Sequence, residues 1–100
     1  MDKNYMVKLL REKKNSEFIE IFRNEYLEIA YEFALKKKLI KEKKELSSIM
    51  LITKIRKEYP ELKGITNLLS RVLYTEMEES ILIDILVSSY FEYKKALKVE

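Results

Sequence analysis

The sequence predicts an all-α fold: a helical bundle of about four helices with a long C-terminal helix. Three observations carry that expectation. The chain of 100 residues holds one Gly and one Pro, whereas sheets need turn residues every few positions and long helices need few breakers. Apolar residues make up 47% and charged residues 37%, too apolar for a disordered chain and too charged for a membrane protein. Along most of the chain the apolar residues recur at three- and four-residue spacing, the period of a helix with one buried face. The length allows a single α-helical domain over residues 1–100, with a modest core.

The first helix is expected over residues 3–14, where Tyr5, Met6, Leu9 and Leu10 form a stripe. Asn15 and Ser16 are a plausible break, because both side chains bond the local backbone. A second helical stretch covers residues 17–42, with Phe18, Ile21, Phe22, Leu27, Ala30, Tyr31, Ala34 and Leu35 on a broad apolar face and a candidate bend at Asn24. A third covers residues 45–59, with Ile49, Ile52, Ile55 and Tyr59 along one side. Pro60-Glu61-Leu62-Lys63-Gly64 is the strongest punctuation: Pro60 disfavours the α region at Tyr59, and Gly64 is free to adopt positive φ. The last helix is then expected to start near Thr66 or Asn67, either of which can cap it, and to run to Leu97 as the longest of the set.

That last helix carries Leu69, Val72, Leu73 and Met77 on one face, but over residues 81–91 it reads as apolar nearly all round. A helix apolar on every side is enclosed by other helices, and so short a chain offers few. Ile81, Leu82, Ile85, Leu86, Tyr90 and Phe91 are therefore expected to form a subunit interface with a sister chain, in a hetero- or homo-oligomer. Asp84 is the one acid inside this run; it would need a partner if buried, and faces water if it lies on a helix edge.

Composition excludes several chemistries. The chain has no Cys and no His, which rules out disulfides, zinc–thiolate sites, thiol nucleophiles and imidazole bases. No glycine-rich phosphate loop or nucleophile elbow is present. The expectation is a protein that is not an enzyme and uses no cofactor and no metal. No secretory signal or membrane-spanning run is visible, so the protein reads as cytoplasmic, with no membrane partner. Gln and Trp are missing while Lys, Glu, Ile, Leu and Tyr abound, a bias that fits either a thermophile or an AT-rich genome.

Charge is spread unevenly. Residues 1–64 hold 16 Lys or Arg against 11 acids, and residues 65–100 hold 4 against 6. Lys36, Lys37, Lys38, Lys41, Lys43 and Lys44 form a basic run that could contact nucleic-acid phosphates, although helical spacing collects them on no single face. Its plainer reading is a solvated helix end whose cations complement the macrodipole. Glu76, Glu78 and Glu79 form an acidic patch that could dock a basic partner or simply face solvent. Glu25, Glu28 and Glu32 share a helix face, where pairing with Arg23 and nearby lysines is expected, since carboxylate metal sites in bundles also draw on His. Tyr26, Tyr31, Tyr59, Tyr74, Tyr90 and Tyr93 suit packing, an interface or a stacking platform for bases.

Two stretches resemble the helical domain of archaeal GINS subunits of the type with the helical domain first. In residues 9–33, Leu10, Arg11, Glu12, Ser16, Phe18, Ile21, Phe22 and Tyr26 stand where a basic Leu-Arg-x-Glu helix is followed by an aromatic-rich one. Residues 65–90 are similar to the long later helices that build that family's tetramer core. The family often shows Arg and Lys where this chain has Glu76, Glu78 and Glu79, and it usually adds a small β-rich domain after the helices. The resemblance implies a non-catalytic scaffold in DNA replication, assembling with a sister subunit and bridging the replicative helicase to a RecJ-like protein. The alternative is a stand-alone helical nucleic-acid-binding regulator using Lys36 to Lys44 with Arg11, Lys13 and Lys14 on DNA.

Overall fold

The computed structural model describes residues 3–12 and 14–98, and every regular element among them is helical. Five α-helices follow in order: α1 (Lys3–Glu12), α2 (Asn15–Lys36), α3 (Ser48–Glu58), α4 (Lys63–Tyr74) and α5 (Glu79–Ala96), with short 3-10 turns at Lys43–Glu45 and Pro60–Leu62. Lys13, a contact in the regulator reading, lies outside the described residues. The longest helix is α2, with 22 residues, and α2 runs unbroken through Asn24.

The core is laid down along α2. Phe18, Phe22, Tyr26, Ala30, Phe33 and Ala34 are all buried on it. Helix α5 lies alongside, supplying Leu82, Leu86, Tyr90 and Tyr93 to the same core. The two helices run in the same direction: Ile19 shares a cleft with Leu82, Tyr26 stacks on Tyr93 with ring centroids 4.4 Å apart, and Phe33 meets Leu97 at the far end. Helices α3 and α4 form an antiparallel hairpin packed against α2, their ends tied by a Ser48–Tyr74 hydroxyl contact and by Arg56 Nη2 donating to Asn67 Oδ1 at 2.9 Å. Helix α1 packs on α2 through Met6 and Leu9.

Buried phenols fasten α5 to α2. Tyr26 Oη donates to the Leu86 carbonyl at 2.7 Å and lies 2.9 Å from Ser89 Oγ. Tyr93 Oη donates back to the Tyr26 carbonyl at 2.6 Å. Burial pushes the Tyr26 hydroxyl up to about 12 and the Tyr93 hydroxyl well above its usual value. These hydroxyls are therefore fixed donors at neutral pH. Arg23 Nε donates to the Val72 carbonyl at 2.8 Å, placing a cation on the C-terminal end of α4, where orphan carbonyls and the helix dipole favour it.

The long C-terminal helix expected over residues 66–97 is two helices. Helix α4 stops at Tyr74, Thr75 is extended, and α5 begins at Glu79. The physical reason is compactness. One continuous helix over residues 63–96 would be about 51 Å long, beyond the molecule's longest extent of 38 Å, so the chain breaks and turns back to lay α5 along α2. Nor is residue 66 a helix start. Helix α4 begins at Lys63, behind the Pro60 turn, and Thr66 is buried inside it with its hydroxyl on the Leu62 and Lys63 carbonyls. Gly64 lies in the helix without positive φ; Lys38 is the one described residue in the left-handed region, at φ 61°. There the Lys38 N–H donates to the Leu35 carbonyl and the Leu39 N–H to the Ala34 carbonyl, the paired bonds of a Schellman cap. The third helix starts at Ser48, with Ser47 Oγ accepting from the Met50 N–H at 3.3 Å.

Candidate functional site

Because α2 and α5 run in parallel, their C-terminal ends meet, and each sequence places lysines there. The result is a cleft of about 600 Å³ with an apolar floor and a basic rim, inside the roughly 300–1,000 Å³ that binding clefts span. Helix α2 contributes Ile29, Glu32, Phe33 and Lys36; α5 and the residues after it contribute Phe91, Lys94, Lys95, Leu97 and Lys98. Four cations and one carboxylate thus face a common space. Phe33 and Leu97 are buried beneath it, whereas Phe91 stays 48% exposed. The Phe91 ring stands edge-on to Tyr90, with centroids 5.3 Å apart. Lys94 Nζ lies 5.9 Å from the Tyr90 ring centroid, within cation–π range. Tyr90 Oη in turn donates to Glu25 Oε1 at 3.3 Å, and burial together with the Glu25 carboxylate raises the Tyr90 hydroxyl.

The basic run of the sequence does not assemble into one surface. Of its six lysines, Lys36 alone lines this cleft. Lys37 leans over the Tyr59 ring at 5.9 Å. Lys38 holds the left-handed cap of α2, and the Lys41 N–H donates to Glu45 Oε1 at 3.0 Å. Lys43 pairs with Glu28, and Lys44 is exposed in the 3-10 turn. Sequence reasoning missed Lys94, Lys95 and Lys98, which sit in the half of the chain with the acidic excess. The signal available was three lysines within one turn or so of an aromatic residue. What the sequence did not supply was the parallel pairing that brings Lys36 to them.

The six residues expected at a subunit interface point in different directions. Leu82, Leu86 and Tyr90 are buried within this chain, so they have no surface to give a partner. Ile85 is half-buried, and Ile81 and Phe91 are each 48% exposed. Helix α5 is not apolar all round. Asp84, Ser88 and Glu92 are exposed and give it a polar outer face, and Asp84 stands on that face, needing no buried partner.

Glu76, Glu78 and Glu79 are exposed at the turn between α4 and α5 and in the first residue of α5. Carboxylates suit that end of a helix dipole. The other acidic triplet also separates: Glu25 accepts from Tyr90, Glu28 pairs with Lys43, and Glu32 lines the cleft. Arg23, expected to pair with these acids, is drawn instead to the Val72 carbonyl. No group of three or more His, Cys, Asp or Glu among the described residues could hold a metal ion. None of the described helices is long and apolar enough to cross a membrane. No protein-family model, curated protein or solved structure matches the chain.

Proposed function

We propose that this protein is a non-catalytic nucleic-acid-binding protein and that the strand lies in the cleft at the paired C-termini of α2 and α5. The observation that carries this reading is the convergence of Lys36, Lys94, Lys95 and Lys98 around an apolar floor. A polyanion is the ligand class that such a rim attracts, through phosphate contacts and release of condensed counterions. The test is fluorescence anisotropy of a labelled oligonucleotide against the wild type and the Lys94→Glu/Lys95→Glu variant, with circular dichroism to verify folding. The reading expects submicromolar to micromolar binding at low salt and a loss of about 100-fold or more in the variant. Equal binding by both proteins would overturn it.

A second reading is the GINS-like scaffold, joined to a sister subunit and bridging the replicative helicase to a RecJ-like protein. What favours it is the exposure of Ile81 on α5 together with Ile49 and Met50 at the start of α3 and Tyr74 at the end of α4, large apolar side chains of the kind that interfaces use. Multi-angle light scattering at micromolar concentration tests it. An oligomer that Ile81→Asp dissociates supports the scaffold; a monomer that captures no second helical subunit from its host contradicts it.

A further inference from the structure

The lysines of the cleft explain attraction to a polyanion; they do not explain its exposed ring. Phe91 is a large apolar residue set among cations, with Lys94 and Lys95 following on the same helix, Lys98 just beyond its end and Lys36 opposite. Hydrophobic burial does not account for it, because nearly half of the side chain remains in water. Its ring is nevertheless held: Tyr90, itself buried, meets it edge-on at an interplanar angle of 75°. Tyr90 is in turn fixed by Phe22, edge-on at 5.5 Å, and by its bond to Glu25. An exposed aromatic ring beside a row of cations is the pairing that takes one base on its face and the flanking phosphates on the lysines.

We infer that the ligand of this cleft is single-stranded nucleic acid, with Phe91 stacking one unpaired base; this rests on the nucleic-acid reading above. A duplex offers its base edges in the grooves and keeps the faces stacked on one another, so a ring reaches a face only after a step is unstacked, at a cost of a few kcal/mol. A single strand offers faces freely. Stacking is also indifferent to base identity, since every base has a π-face, so binding shows little sequence preference. A poly-glutamate peptide would satisfy the lysines but carries no aromatic face to stack on Phe91.

The experiment measures anisotropy of a labelled 12-nucleotide single strand, the matching duplex and a poly-glutamate peptide against four proteins: wild type, Phe91→Ala, Phe91→Tyr and Lys94→Glu/Lys95→Glu. The wild type is expected to prefer the single strand over the duplex by tenfold or more. Phe91→Ala is expected to weaken single-strand binding by about 5- to 150-fold, the span that stacking of one base covers, and to leave duplex binding within about twofold. Phe91→Tyr keeps the ring and should bind like the wild type. Equal affinity for strand and duplex, unchanged by Phe91→Ala but lost in the double lysine variant, would overturn the stacking inference and leave the basic cleft standing. Binding untouched in the lysine variant, or confined to the poly-glutamate peptide, would overturn both.

Discussion

Replacing Lys38 with glycine is expected to stabilise this protein, an outcome opposite to that of most substitutions. Lys38 sits at φ 61°, past the end of α2. A left-handed backbone brings Cβ too close to the following carbonyl oxygen, at a cost of roughly 1–2 kcal/mol for an L residue. Glycine removes that clash but has more freedom to lose on folding, which returns roughly 0.5–1 kcal/mol. The difference is a gain of about 0–1.5 kcal/mol with a midpoint of about 0.75. In a domain of this size each kcal/mol moves the melting temperature by about 4–8 °C, so at the midpoint Lys38→Gly should melt about 3–6 °C higher. Its urea midpoint should rise with the slope unchanged, since the exposed area is the same. Lys38→Ala provides the control, because it removes the charge and keeps the strain. The reasoning fails if Lys38→Gly melts lower than the wild type. It also fails if Lys38→Ala gains as much, because relief of repulsion among the neighbouring lysines would then be the cause.

Gly64→Ala should stabilise as well, by about 0.4–1 kcal/mol: residue 64 is helical without positive φ, and a Cβ there meets nothing within 4 Å; a lower melting temperature would contradict the open space found there. Tyr26→Phe should cost about 1 kcal/mol, the net worth of one hydrogen bond, because the Leu86 carbonyl it loses is still within a helix; a loss above about 3 kcal/mol in urea titration would show that the hydroxyl holds more than this pair. Alkaline pH should unfold the protein. The buried Tyr26 and Tyr93 hydroxyls are raised above 10 in the fold, while the unfolded chain ionises near 10. The unfolded state therefore binds fewer protons above pH 10, so this contribution is fully present below pH 10 and drains away as pH climbs towards 12. Urea midpoints measured from pH 9 upward should fall, and less steeply in Tyr26→Phe.

The helical class was legible because period and breaker scarcity are local properties, and Phe18, Phe22, Ala30 and Ala34 mark the buried face of α2 at steps of four and eight residues. The division between α4 and α5 was not read, since Thr75 to Glu78 contains neither Gly nor Pro. The clue lay in length: an unbroken helix from residue 66 to 97 is about 48 Å long, more than so small a domain can lay along one neighbour. Pro60-Gly64 marked a real boundary, but the left-handed residue was Lys38, where a Schellman cap overrides residue preference. Greasiness over residues 81–91 misled for a related reason. The run counts Leu82, Leu86 and Tyr90, which α2 covers, and overlooks the exposed polar Asp84 and Ser88 on the outer side. The cleft itself was illegible, because Lys36 and Lys94 become neighbours only through the parallel pairing of two helices more than forty residues apart in the chain.

The central claim is that the four lysines meeting at the ends of α2 and α5 hold phosphates. Its most direct measurement is the dependence of oligonucleotide affinity on salt. For a single strand the slope of log K against log salt is about −0.7 for each phosphate engaged, so four contacts give a slope of about −3, and Lys94→Met/Lys95→Met should flatten it by about 1.4. A slope that these two substitutions leave untouched would contradict the account and move the binding surface away from this cleft.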